Sequence, residues 1–145
     1  MRAVVQRVSR AEVSVDGAVV GRLDEPGLVV LLGVTHEDTP EDAQQLAAKI
    51  VRLRIMRGEQ SVDETGGGVL AISQFTLFAD TRKGRRPSWG AAAPGPVAEP
   101  LYDAFCEAVE SAGVTVARGV FGADMAVDLV NDGPVTLVMD SRAGS

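Results

Sequence analysis

Leu28-Val29-Val30-Leu31-Leu32-Gly33 is an unbroken apolar run entered through the turn residues Glu25-Pro26-Gly27. It reads as a β-strand buried on both faces, and that reading organises what surrounds it. Upstream, Val4-Val5-Gln6-Arg7-Val8 is followed by Ala11, Val13 and Val15 alternating with Glu12 and Ser14, again a strand pattern. Asp16-Gly17 supplies residues that tolerate positive φ, and Ala18-Val19-Val20 returns, so a β-hairpin with a type I′ turn is expected.

Downstream comes a helix. Thr39 is its N-cap, Pro40 fits the first helical position, and Glu41 and Asp42 suit the positive helix end. Ala43, Leu46, Ala47, Ile50 and Val51 repeat at helical spacing. Gly66-Gly67-Gly68 is a loop or hairpin tip, and Val69 to Phe78 is read as the next strand. A second helix is expected from Val97 to Ala112, striped by Leu101, Ala104, Phe105, Ala108 and Val109 and stopped by Gly113. Val114-Thr115-Val116 and the stretch from Met125 to Asp140 supply the last strands. Two helices cannot cover both faces of so many strands. The expected fold is therefore α/β: one domain over 1–145, a mixed, barrel-like sheet with two main helices largely on one side. A second copy of the chain is the simplest cover for the other face, so a homodimer is expected.

Composition narrows the function. The chain has 145 residues, 46% hydrophobic, with a mean hydropathy of +0.11, which excludes disorder. Aromatics are only 4%, so the core is built from Val, Leu, Ile and Ala. The single cysteine, Cys106, excludes an internal disulfide and reads as a buried structural thiol. No signal peptide and no run of transmembrane length is present, so a cytoplasmic protein with no membrane partner is expected. A net charge of −6 argues against a broad nucleic-acid surface. It leaves room for a local one: Thr81-Arg82-Lys83-Gly84-Arg85-Arg86-Pro87 gathers four cations into positions 82 to 86.

Familiar catalytic chemistries are missing. His36 is the only histidine, which removes Ser-His-Asp and Cys-His arrangements. Neither a paired His/Cys spacing nor a phosphate loop occurs, so no metal and no cofactor are expected. What remains is Ser73-Gln74-Phe75-Thr76, a polar cluster inside an apolar run, and Asn131-Asp132-Gly133-Pro134-Val135-Thr136, where Gly-Pro interrupts what would otherwise be one buried strand. Two such rule-breaks in one small domain suggest one site. Gln74 and Thr76, one strand period apart, are neighbours on one face. A glutamine amide and backbone N–H groups suit a developing oxyanion. Thr76 is a candidate nucleophile without a visible base. The same residue types also fit a strand end whose polar groups satisfy one another.

These motifs resemble those of the D-aminoacyl-tRNA deacylases, first described as D-tyrosyl-tRNA deacylases. The resemblance runs along the whole chain, through Met1-Arg2-Ala3-Val4-Val5-Gln6-Arg7-Val8, Ser73-Gln74-Phe75-Thr76, Lys83-Gly84-Arg85-Arg86-Pro87-Ser88, Phe121-Gly122-Ala123-Asp124-Met125 and Asn131-Asp132-Gly133-Pro134-Val135-Thr136. Trp89 stands where a phenylalanine is expected. The resemblance implies a homodimer that hydrolyses the ester between a D-amino acid and the 3′ end of tRNA. It implies a cis Gly133-Pro134 peptide that reaches into the other subunit's site and rejects L-amino acids. Ser73, Gln74, Phe75 and Thr76 would form the catalytic segment, Arg7 would hold the Gly-Pro loop, and Phe121 and Met125 would line the terminal adenosine pocket. Glycyl-tRNA is a further candidate substrate. Whether Thr76 attacks, or water does with backbone amides holding the oxyanion, is left open; the missing base favours water. Rival classes are a silent RNA-end binding module and a hydrolase of free D-amino-acid esters.

Overall fold

Strand β1 (Arg2–Val15) is the spine of the computed structural model, which describes residues 1–142. Its first half pairs antiparallel with β3 (Gly27–Gly33) and its second half with β2 (Ala18–Leu23). The opposite edge of β1 is taken along nearly its whole length by β6 (Ala126–Asp140), also antiparallel. From β3 the sheet continues in parallel through β4 (Val69–Ser73) to β5 (Val116–Arg118). Strands β2 and β5 then meet across the gap. A β-carbon at Gly21 would lie only 2.5 Å from the Arg118 carbonyl oxygen, so glycine is what permits the approach. The single-domain mixed sheet is thereby curled nearly into a barrel.

Alternation along the strands fills two apolar compartments. Val29, Leu70 and Ile72 join Val8, Ala11, Val13 and Leu23 in one. Leu28, Val30, Leu32, Val69 and Ala71 face the other, against Ala43, Leu46 and Ile50 of α1 (Pro40–Arg52) and Leu101, Phe105 and Val109 of α3 (Gly95–Ser111). The two helices also pack on each other, so both lie on one side of the sheet. The run 28–33 is buried on both faces as expected. In β1 the parity changes midway: Ala3 and Val5 face the helices, but Ala11 and Val13 face the curl. The change coincides with register shifts between Gln6 and Val8 and between Val8 and Arg10.

Local signals explain the boundaries. Asp16 and Gly17 both have positive φ, at 51° and 80°, as a type I′ hairpin demands. Helix α1 opens with a reciprocal cap: Asp42 N donates to Thr39 Oγ1 at 3.3 Å and Thr39 N donates to Asp42 Oδ2 at 2.9 Å.

Two expectations need correction. The strand expected over 69–78 ends at Ser73, and Phe75–Phe78 forms a 3-10 turn. Its partner β3 stops at Gly33, so after Gln74 N donates to Leu32 O at 2.7 Å the ladder has no more acceptors. The chain then bonds to itself, Leu77 N to Gln74 O at 3.2 Å and Ala79 N to Thr76 O at 3.0 Å, and folds Leu77 and Phe78 over Gly33. Second, β6 is not a buried strand: it is an edge strand with Val127, Val130 and Val138 exposed. Gly66-Gly67-Gly68 is a loop, the first of its two expected forms, and joins a short helix α2 (Val62–Thr65) to the parallel strand β4.

Cys106 is fully buried, and burial pushes its thiol up to about 11. The native protein at pH 8 should therefore take up no aromatic disulfide reagent, while the denatured chain takes one equivalent. Rapid labelling of the native state would place the thiol at the surface.

Candidate active site

The end of β4 and the 3-10 turn after it form one wall of a cavity of about 560 Å³. Leu32 and Ile72 provide its apolar floor, Ser73, Gln74 and Phe75 one side, and Phe121, Asp124 and Met125 the other. Tyr102 closes the back. Its hydroxyl donates to Ala71 O at 2.7 Å, and burial raises its pKa above the ordinary phenol value, so it stays protonated. Asp124 is the one acidic or basic side chain among the lining residues, and it is exposed. Among the described residues no cluster of three or more His, Cys, Asp or Glu could hold a metal ion.

Thr76 stands beside this cavity rather than in its lining. Its hydroxyl accepts a bond from the Gln74 amide, Nε2 to Oγ1 at 2.6 Å. A donor aimed at the oxygen does the opposite of a general base, so nothing here turns the hydroxyl into a nucleophile. The backbone offers more. Phe75 and Thr76 open the 3-10 turn, where the first N–H groups have no acceptor within the turn. Neither amide finds another acceptor among the described residues. Two N–H groups, one from Phe75 in the lining of a partly apolar cavity and one from Thr76 next to it, are the donors an oxyanion needs.

The second motif lies elsewhere. Gln6 pairs with Thr136 and Val8 with Asn131, so residues 132–135 bulge out of the β6 ladder opposite Arg7. Gly133-Pro134, a cis peptide, sits in that bulge. Arg7 is buried, ion-pairs with Asp132 Oδ2 at 3.3 Å and spreads its guanidinium over three carbonyl oxygens: Asp132 O at 2.9 Å, Ile55 O at 3.0 Å and Gly133 O at 3.4 Å. Asn131 Nδ2 closes the base of the bulge by donating to Arg7 O and Val135 O.

The structure thus brings Ser73, Gln74, Phe75, Phe121 and Met125 to one cavity and gathers Arg7, Gly133 and Pro134 at a second locus. It does not unite the two within one chain. Sequence reasoning missed Arg57, which grips the Asp132 carboxylate through Nη2 at 2.5 Å and Nε at 3.1 Å. Arg57 is aimed by a tight reversal in which Met56 bridges Gln60 while Gly58 and Glu59 take positive φ. Gly58 was the only signal for that turn. The Arg57 hydrogen bonds hold the Asp132 carboxyl below the usual carboxylate range. Sequence reasoning also left unplaced Trp89, which lies on the cavity rim. His36 is exposed, with Nε2 2.6 Å from Gly90 O, and takes no part in either locus.

The curled mixed sheet recurs in known proteins. The family model described as D-Tyr-tRNA(Tyr) deacylase matches residues 4–140. The D-aminoacyl-tRNA deacylase of Kineococcus radiotolerans is 60% identical, covering 97% of this chain and all of that protein. The D-aminoacyl-tRNA deacylase of Acidothermus cellulolyticus is 61% identical over 97% of this chain and 99% of its own. Among solved structures, the c-Myc DNA unwinding element binding protein superposes with a TM-score of 0.89 at 38% identity, covering 99% of this chain and 100% of that one. The chain belongs to the D-Tyr-tRNA(Tyr) deacylase family.

Because Arg57 is exposed, its ion pair contributes little to global stability, yet it tethers the bulge. Arg57→Ala should leave global stability nearly unchanged while accelerating hydrogen exchange at residues 132, 133, 135 and 136. A global loss comparable to that of Arg7→Ala would show Arg57 holding the sheet instead.

Proposed function

We propose that the protein is a hydrolase cleaving the ester of D-aminoacyl-tRNA to free D-amino acid and tRNA. Family membership supports the reaction, and the observation that carries the mechanism is the pair of unengaged amides at Phe75 and Thr76 beside the cavity. An aminoacyl ester is intrinsically labile, so positioning plus oxyanion stabilisation suffices without a side-chain nucleophile. Water attacks the carbonyl carbon, the amides take the developing negative charge, and the ribose oxygen leaves with a proton. The terminal adenosine occupies the pocket between Phe75, Phe121 and Met125. No cofactor is invoked. The substrate implies a cytoplasmic setting, and no helix among the described residues is long and apolar enough to cross a membrane.

Rejection of L-amino acids belongs, in this reading, to the Gly133-Pro134 loop of a second copy. Homodimerisation is supported by the separation of the two loci within one chain and by the apolar outer side of β6, where Val138 is 69% exposed. Gly133 itself offers a further argument. Its φ is not positive, and an added β-carbon would meet only Asn131 Oδ1 at 3.5 Å. The fold of the chain gives no reason for glycine there, so the missing side chain serves something outside the chain.

The direct test is parallel incubation with D-tyrosyl-tRNA and L-tyrosyl-tRNA, where only the D ester should disappear faster than its spontaneous rate. Thr76→Ala should keep that activity within about tenfold, since removing a true nucleophile costs roughly four orders of magnitude or more; a drop to the spontaneous rate with tRNA still bound would make Thr76 the nucleophile. Gly133→Ala should fold with stability unchanged to about 0.5 kcal/mol yet lose D-ester turnover on the order of tenfold or more. Unaltered turnover and unaltered D/L ratio would dissociate Gly133 from the site.

A further inference from the structure

Of the six aromatic side chains, Phe78, Tyr102 and Phe105 are buried and Phe121 is half-buried. Phe75 and Trp89 are the exceptions, 56% and 43% exposed. Leaving two large apolar rings in water forfeits burial free energy, and here both sit on one cavity rim. Their centroids are 5.2 Å apart with planes at 67°, an edge contact that leaves ring faces open.

Trp89 is exposed but not loosely held. Asp80 and Ser88 exchange backbone hydrogen bonds at 2.8 and 2.9 Å just before it. Just after it, Gly90 O contacts His36 Nε2 at 2.6 Å, and Ala91 O accepts from Thr35 Oγ1 at 2.5 Å. The loop that these bonds close carries the cationic cluster. Arg82 is taken by Asp80, whose carboxyl is held at about 2 by that pairing. Lys83, Arg85 and Arg86 form no ion pair among the described residues and are exposed. In a chain of net charge −6, three cations without an ion pair in the loop that leads into Trp89, together with two exposed aromatic rings, are the combination that binds single-stranded nucleic acid: rings take bases, cations take the backbone.

We propose that Trp89 is a stacking platform for the penultimate base of the tRNA 3′ end, with Lys83, Arg85 and Arg86 receiving the adjoining phosphates. The proposal rests on the deacylase reading, in which the terminal adenosine fills the cavity; the strand leaving that cavity passes the rim where Trp89 stands. It explains why the rim is aromatic and why cations are concentrated in one loop while the net charge stays negative.

Trp89 is the only tryptophan, so its emission reports the site directly. Titration of the intact protein with adenosine 5′-monophosphate should leave that emission nearly unchanged, while the dinucleotide CpA should quench it saturably. Trp89→Ala should raise KM for D-tyrosyl-tRNA on the order of fivefold or more, leave kcat within about twofold of the parent, and cost clearly more on D-tyrosyl-tRNA than on 2′(3′)-O-D-tyrosyl-adenosine. Trp89→Phe should restore most of the KM. Equal quenching by adenosine monophosphate and CpA would assign Trp89 to the terminal nucleoside and overturn the proposal, as would an unaffected KM or an equal loss on the two substrates. If the parent protein hydrolyses neither substrate, the deacylase reading fails, and the quenching comparison, which needs no turnover, still decides the platform.

Discussion

The Arg7 guanidinium is the interaction on which the arrangement around the site depends. A buried cation is tolerable only when its donors are met, since an unpaired one costs several kcal/mol. Here the acceptors come from segments far apart in sequence: Ile55 before the reversal at 56–60, and Asp132 and Gly133 in the β6 bulge. Meeting the needs of one side chain therefore fixes where the connection after α1 runs and which way the bulge turns its carbonyls. Position 7 also falls where β1 loses register with β6. The strand that organises the sheet is thus irregular at the point where its charged residue must face inward.

The same economy places the cavity. Parallel strands β3 and β4 end together, Gly33 beside the turn that follows Ser73, and the ladder runs out there. Amides at such an end either turn back on the chain or stay unpaired. Leu77 and Ala79 turn back, while Phe75 and Thr76 do not. The site is in this sense a by-product of where a sheet stops, which is why it needs no histidine and no metal to present two hydrogen-bond donors. Sheet-end positions recur as ligand sites in open α/β folds for the same topological reason.

Much of the framework was legible in the sequence because it is governed by neighbours in the chain. The Asp16-Gly17 turn, the Thr39 cap, the two helices and the doubly buried run at 28–33 are all local or periodic signals. The end of β4 was not legible. Phe75, Leu77 and Phe78 continue an apolar pattern, and only the arrest of the partner strand at Gly33 stops the ladder. The exposure of β6 escaped for a similar reason, since valines at 127, 130 and 138 look like core until the sheet order shows no strand beyond them among the described residues. Motif matching located Arg7 and Gly133 but not Arg57, whose role exists only because a bulge brings Asp132 to a reversal some 75 positions earlier in the chain.

Charge is where sequence and structure reinforce each other. Affinity for a nucleic acid scales steeply with the number of phosphates neutralised, so an enzyme that must sample many tRNAs and release nearly all of them gains from contacting few. The negative net charge discourages engagement along the tRNA body, and the ion pair between Arg82 and Asp80 removes one more cation from the loop. On the proposed reading, the three cations of that loop that form no ion pair among the described residues, in the segment leading to Trp89 on the cavity rim, confine attraction to the end of the strand. On the same proposed reading, chirality is judged after a brief encounter, by the backbone that Arg7 holds rather than by how tightly the substrate is bound.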